Sequence, residues 1–490
     1  MIALGPNRTA NGKIEKELGA DIYTGRNGHI GRAVFHSYLH QGDKGILDGQ
    51  PARAGLTAWP HIFSFCGGSH QLAAARALED AWRVSPPPNA LLLRAIAQAA
   101  EALQNATRWF YTAFGPSLAN DFFAGHSLYN QARERFTAFK GSAFRQGMMA
   151  GALPTALYAL FAGQWPYADF IIPGGVNTRV QAGELARAFA LIDRYRSEWL
   201  ETAWLGCPVE RYLDIHTWEG LLGWLDEKAA HRDSSLGLFI RTALDYGLDK
   251  TGGGPGHYLA YGAFPGLEGE NAENLWAAQL HGGFLHGDIY RQLCRETVLE
   301  MLDTPADGPH FQGEAVEAGP LARLAVAAAS TAGEGAGHPL LGDILRKKGA
   351  STFTRALARM HEAALYFYYI RHWLSELVLK GPFTVPVEAC DGIGIGLAEA
   401  PRGALAHYVE LEGGLIKSYR ILSPTILNIQ AGNSVGKESP LAFALKGAAI
   451  RNLERPFEVG LVARSFDACL ACNVRVFKSL KGQLVSEAQV

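Results

Sequence analysis

The chain has 490 residues, 48% apolar and 19% charged, which is ordinary globular composition and enough to bury a sizeable core. Its 45 Lys and Arg stand against 47 Asp and Glu, leaving no net field to draw a polyanion, so nucleic acid and an anionic membrane surface drop out as electrostatic partners. Six cysteines, Cys66, Cys207, Cys294, Cys390, Cys469 and Cys472, are too sparse for a disulfide framework, and a reducing compartment of folding is expected.

The first residues, MIALGPNRTANGKIEKE, contain no apolar signal segment and no twin arginine, and no run of about twenty apolar residues occurs anywhere. The expectation is a soluble chain, cytoplasmic, or exported or membrane-associated only through a partner subunit. DIYTGRNGHIGRAVFHSYLH, residues 21 to 40, is strand-like. Apolar residues recurring at three and four positions then predict long helices over 88–113, 182–205 and 353–379, apolar on more than one face as mutually buried helices are. The glycine-rich stretch 251–270 lies inside a continuous apolar pattern and marks no linker. Near the end, ALAHYVELEGGLIKSYRILSPTILN, residues 404 to 428, has two β-rich runs separated by Gly413 and Gly414. Length alone suggests about three domains, but nothing divides the chain. A single domain over 1–490 is expected, α-rich α+β, with a central long-helix bundle and small β-sheets at the ends.

Chemistry concentrates at two places. HIFSFCGGSH, 61–70, holds Cys66, and SFDACLACNVRV, 465–476, holds the C-x-x-C pair Cys469 and Cys472. Taken alone the pair reads as metal ligands, as a redox couple or as two buried small apolar residues. Structural zinc would want four closed ligands, and the other candidates are scattered. DGIGIGLAEAPRG, 391–403, contains a G-x-G-x-G run, but no βαβ context supports a dinucleotide loop. Its glycines are read instead as letting backbone approach metal-bound ligands.

Together these stretches resemble the large subunit of nickel-iron hydrogenases, which carries R-x-C-G-x-C-x-x-x-H near its start and D-P-C-x-x-C-x-x-H at its end. GKIEKEL at 12–18, QGDKGILDGQP at 41–51, PGGV at 173–176, EAPRGALAHYV at 399–409 and SPTILN at 423–428 are similar, in order, to further family motifs. The likeness spans essentially the whole chain, is shared with hydrogenase-assembly accessory homologues of that subunit, and implies the nickel-iron hydrogenase large-subunit fold.

The resemblance implies a site of nickel and iron, the iron bearing cyanide and carbon monoxide. Cys66 and Cys472 fall at the positions that bridge the metals, and Cys469 at a terminal nickel position. The other terminal nickel position is Phe63, which has no lone pair to give. Arg402 and Thr425 match residues that hydrogen-bond the diatomic ligands, Glu15 matches a proton-relay glutamate, and His70 matches the histidine of the first motif. Arg402 and Glu15 are thus the candidate catalytic residues. The family's magnesium is not expected, because its ligand positions are Lys44 and Arg475, and two cations repel a hard cation. Asp467 is kept, while the proline after it is Ala468 and the first arginine is His61.

An iron-sulfur small subunit is implied as partner, since no further cysteine set could hold clusters. Maturation proteins and an endopeptidase are implied as well, the latter removing a candidate C-terminal extension, 476–490. Two functions follow: oxidation or evolution of dihydrogen at an atypical centre lacking one nickel cysteine, or a non-catalytic maturation or regulatory platform for the iron unit. Chain length, Glu15 and the tail favour the first, to which the balance tips; Phe63, Lys44 and Arg475 favour the second.

Overall fold

The computed structural model describes residues 18–25, 28–37, 45–262, 283–286, 289–293, 295–303, 310–311, 314–330, 338–429, 438–467, 472–478 and 483–489. Glu15, Lys44, Cys294 and Cys469 lie outside them, and of Cys472 and Arg475 only the backbone is described. In chain order the elements that position the site are β1 (Leu18–Thr24), β2 (Ile30–Ser37), α1 (Gly55–Ile62), α2 (Gly67–Trp82), α3 (Pro88–Trp109), α4 (Ser142–Ala162) and α5 (Ala182–Tyr195). A middle section supplies β3 (His257–Ala260), β4 (Gly283–His286), β5 (Ile289–Gln292), β6 (Glu314–Ala315), β7 (Glu317–Ala318) and α6 (Pro320–Ser330). Then come α7 (Thr352–Glu376), β8 (Gly392–Ala400), β9 (Gly403–Glu412), β10 (Leu415–Leu422), α8 (Pro424–Ile429), α9 (Phe457–Phe466), β11 (Cys472–Lys478) and β12 (Gln483–Gln489).

The three helices expected from periodicity are present. α3 starts with Pro88 at its first position, where the missing N–H costs nothing, and runs into a widened turn at Phe110–Phe114. α7 starts from Ser351, whose hydroxyl accepts from the Thr354 amide while the Thr354 hydroxyl accepts from the Ser351 amide. Both are buried nearly all round because α3 packs against both α4 and α7. α5 likewise continues into a widened helical segment, Arg196–Leu205.

The end sheet has the order β12-β11-β1-β2, with β1 parallel to β11. Leu18 stands opposite Cys472 and Asp21 opposite Arg475, so the two ends of the chain meet in one ladder. A second sheet, β8-β9-β10, turns at Gly413 and Gly414, whose positive φ values of 62° and 76° suit a tight hairpin. The Asp391 carboxylate fixes that turn by accepting from both glycine amides, at 2.8 and 3.0 Å.

Two expectations need correction. The glycines of 391–403 serve helix packing rather than approach to ligands: Gly394 and Gly396 lie on β8, and a Cβ on either would meet the Ala77 or Ala73 carbonyl of α2 at 1.9 Å. SPTILN is not strand but the start of α8, which Pro424 opens. The long-helix bundle with small sheets at the ends is as expected, and a further sheet, β7-β3-β4-β5, forms in the middle from strands of two to four residues, too short to declare a period. Among the described residues no helix is long and apolar enough to cross a membrane.

Candidate metal centre

Cys66 closes the turn between α1 and α2 and stands at the head of α2 with φ −133° and ψ 34°. Its amide donates to the Phe63 carbonyl at 3.1 Å, and its side chain is buried.

Phe63 does not face a gap. Its ring stacks on His70 at 4.3 Å between centroids and 10° between planes. His70 Nδ1 lies 3.0 Å from His407 Nε2, His407 Nδ1 lies 2.8 Å from the Tyr419 hydroxyl, and Trp59 packs on Tyr419. Burial pushes the His70 pKa down to about 3 and that of His407 well below its ordinary value. Both rings are neutral, each has one N–H, and the row can point its protons in only one direction at a time.

His338 and His361, with ring centroids 4.4 Å apart, are held neutral in the same way, His338 down to about 4. These four folded pKa values lie below the unfolded 6.5, so as pH falls the unfolded chain takes up protons first. Their contribution is intact above the unfolded pKa and is lost as pH drops toward the folded values, at about 1.4 kcal/mol per pH unit for each ring. Urea midpoints are therefore expected to fall steeply between pH 6.5 and about 4.5, and a flat profile over that range would contradict neutral burial.

Glu101 was not singled out from sequence, yet it holds the Cys66 turn. Its carboxylate accepts from the Gly68 amide at 3.0 Å, the Ser69 amide at 3.0 Å, the Ser69 hydroxyl at 2.6 Å and Trp165 Nε1 at 3.1 Å. It thereby satisfies open N–H groups of the first turn of α2. Burial raises its pKa against the pull of those donors. The signal was available: Arg94, Gln98, Glu101 and Asn105 recur at four and three positions as a polar stripe on an apolar helix.

That stripe joins the two chemical stretches. Arg94 pairs with Glu79, and Gln98 Nε2 donates to the Glu399 carbonyl at 2.6 Å. Asn105 Oδ1 accepts from Arg359 at 3.5 Å, and Trp109 Nε1 donates to the Arg464 carbonyl of α9 at 2.9 Å. At 1.5 Å rise per residue, Glu101 and Asn105 are about 6 Å apart along the axis. One helical turn thus separates the anchor of Cys66 from the group that meets Arg359.

Arg402 sits in the turn between β8 and β9. Its Nε donates to the Asp467 carbonyl at 3.0 Å and lies 3.3 Å from the Asp467 carboxylate, which Arg359 approaches at 3.2 Å. Asp467 ends α9 with φ 54° and stands two residues ahead of Cys469, so EAPRG and SFDAC are fastened together. Arg359 also holds the Pro401 carbonyl at 3.1 Å, and burial pushes its pKa down to about 10, still charged at neutral pH. Behind it Arg323 bridges Glu362 at 2.7 Å and Glu399 at 2.9 Å and donates to the Ala400 carbonyl. Thr425 is buried in the first turn of α8, which Asn428 ties to both backbone groups of Ala318 at 2.9 Å.

The turn of Cys66, through Glu101, and the Arg402–Asp467 pair, through Arg359 and Asn105, are thus tied to successive turns of α3. Soft thiolates suit nickel and iron. Cys66 and Cys472 carry thiol donors of the kind such a group needs, while Phe63, with no lone pair, offers none. Arg475 has its backbone opposite Asp21.

A family model described as nickel-dependent hydrogenase matches residues 42–115 and 305–475, half of the chain. The periplasmic [NiFeSe] hydrogenase large subunit of Desulfomicrobium baculatum is 22% identical over 525 residues, covering 96% of this chain and 95% of that one. The uptake hydrogenase large subunit of Afipia carboxidovorans is 24% identical over 577 residues, covering 95% and 94%. The reduced, active form of the Ni-Fe-Se hydrogenase from Desulfomicrobium baculatum shares the fold with a TM-score of 0.71 at 21% identity, over 91% of this chain and 95% of that one. With the segments that carry Cys66, Arg402 and the C-x-x-C pair inside the match, this chain belongs, as a divergent member, to the nickel-iron and nickel-iron-selenium hydrogenase large-subunit family.

Proposed function

We propose that the chain is a hydrogenase large-subunit homologue that holds a thiolate-bound metal centre and oxidises or evolves dihydrogen there with one nickel cysteine missing. The observation that carries the reading is the fastening of Arg402 to Asp467, two residues ahead of Cys469, a pair that Arg359 links to Asn105, one turn along α3 from the Glu101 that holds the turn of Cys66. A bound nickel-iron unit would supply the redox chemistry for heterolytic cleavage of dihydrogen. Cys66 and Cys472 would hold its iron side, and Cys469 its nickel side.

The remaining roles fall to the protein's own donors. Arg402, whose Nε is fixed by Asp467, would donate from its guanidinium to cyanide nitrogen of such a group, and Thr425 would donate to a second cyanide. His70, neutral and oriented by His407, steadies the environment of Cys66. Glu15 accepts the proton; it precedes by three residues Leu18, the residue opposite Cys472. Electrons leave to an iron-sulfur small subunit, for which the exposed Ile62 and Phe65 beside Cys66 offer an apolar contact.

A second reading, a platform that carries the iron unit during maturation or regulation, is favoured by the Phe63–His70 stack, which fills the place of a thiolate with a packed ring. Metal analysis with infrared spectroscopy of protein purified anaerobically with its partners separates the two. Thiolate-bound nickel together with dihydrogen-dependent dye reduction supports the enzyme; cyanide and carbonyl bands without nickel support the platform. Intact mass adds a second criterion. Removal of 476–490 would take away part of β11 and all of β12, and accompanies nickel-dependent processing, whereas an uncut chain accompanies the platform.

A further inference from the structure

The sheet β7-β3-β4-β5 brings together three donors that play no part in the thiolate centre. His257 opens β3 and His286 ends β4, directly opposite each other in antiparallel register, which puts both rings on one face. Their ring centroids are 4.1 Å apart. Glu314 of β6 reaches the same place from the strand just ahead of β7, with Oε2 at 2.7 Å from His257 Nδ1. One ligand atom from each of the three lies within 4.8 Å of the others, and among the described residues this is the one such group of three. Tetrahedral ligands around Zn2+ at its usual bond lengths stand roughly 3.3 Å apart. The contacts bracket that spacing, and His286 and Glu314 are exposed, so both are free to adjust by about an ångström.

The geometry points to a binding site for one divalent transition cation of the Zn2+ or Ni2+ class, formed by His257, His286 and Glu314 with a fourth position open to solvent. Two imidazoles and one carboxylate are a borderline-soft set that favours such ions over Mg2+ or Ca2+. Burial keeps His257 below its ordinary pKa, hence neutral and able to ligate, and the Ala315 backbone holds its ring. The site is distinct from the proposed hydrogenase centre. The amide of Tyr261, just past the other end of β3, binds Glu399, and four residues of extended chain separate it from His257 by about 13 Å. His257 and His286 also lie outside the segments that match the hydrogenase family. A cation here clamps β4 and β6 onto β3, and it would also take up nickel that belongs to no thiolate.

The test uses the full chain, treated with chelator and titrated with Co2+. The expected result is one equivalent whose visible ligand-field bands show nitrogen and oxygen ligands without sulfur-to-metal charge transfer, displaced by Zn2+. His286→Asn and Glu314→Gln should each weaken that Co2+ affinity by at least roughly tenfold, the lower range for loss of an outer-sphere partner alone. Zn2+ should raise the unfolding midpoint of the wild-type chain but not of His286→Asn, and both variants should match wild type without metal. Cobalt bound only with thiolate charge transfer, or binding unchanged in both variants, overturns the proposal.

Discussion

Cys66→Ser is expected to lower the iron of the purified protein by at least roughly tenfold, more than changes outside the ligand shell cost, and to remove the cyanide and carbonyl bands with it. Serine keeps the size of the side chain but replaces a soft thiolate with a hard oxygen that stays protonated at neutral pH. The turn itself should survive. Its backbone is fixed by the Phe63 carbonyl and, through Gly68 and Ser69, by Glu101, none of which needs the sulfur. Circular dichroism and the unfolding midpoint should therefore stay close to wild type. Cys207→Ser is the control: Cys207 is equally buried, lies in neither chemical stretch, and should leave the iron unchanged. Iron retained in Cys66→Ser would remove Cys66 from the ligand set and with it the proposed function.

The second large effect is on stability. Arg323→Met should destabilise the fold by about 3–5 kcal/mol, because it strands two buried carboxylates, Glu362 and Glu399, that now share one guanidinium. Burial raises the Glu399 pKa even with Arg323 in place, so in the variant protonation becomes the way out. Carboxyls whose folded pKa exceeds the unfolded value add stability at low pH and lose it as pH rises. The difference between variant and wild type should accordingly shrink toward acid pH, although both chains weaken there as their buried histidines charge. Replacing all three residues with apolar side chains of similar volume should recover most of the loss. Urea titrations of the single and triple variants at two pH values provide the measurement. A single variant that costs under about 1 kcal/mol, the range of exposed pairs, would mean that the network is solvated rather than buried.

This network also matters to the centre. Arg323 donates to the Ala400 carbonyl at 2.9 Å and reaches that of Pro401 at 3.4 Å, so it sets the turn on which Arg402 stands. Loss of Arg323 should loosen Arg402 without touching a metal ligand.

Helix positions were legible because α3, α5 and α7 each repeat apolar residues at helical spacing over many turns. The Gly413–Gly414 hairpin was legible because two glycines between β-rich runs admit the positive φ such a turn needs. The short strands β3 to β7 were not. Two to four residues carry too little pattern, and their pairing depends on partners distant in sequence. Glu101 escaped notice for a related reason: a lone carboxylate in an apolar helix gains meaning only when the amides of Gly68 and Ser69 are brought to it.

From the sequence alone come the side chains at the positions that the resemblance marks: thiols at Cys66, Cys469 and Cys472, none at Phe63, and cations at Lys44 and Arg475. The donor chemistry of each is read directly from its residue type, while the role of each rests on the resemblance. Only the folded chain decided that Phe63 lies flat on His70, that Arg402 is bound to Asp467, that Leu18 pairs with Cys472, and that His257, His286 and Glu314 converge. Each of these joins groups distant along the chain or displays a packing choice, and such encounters are fixed by the burial of helices and the register of strands rather than by local propensity.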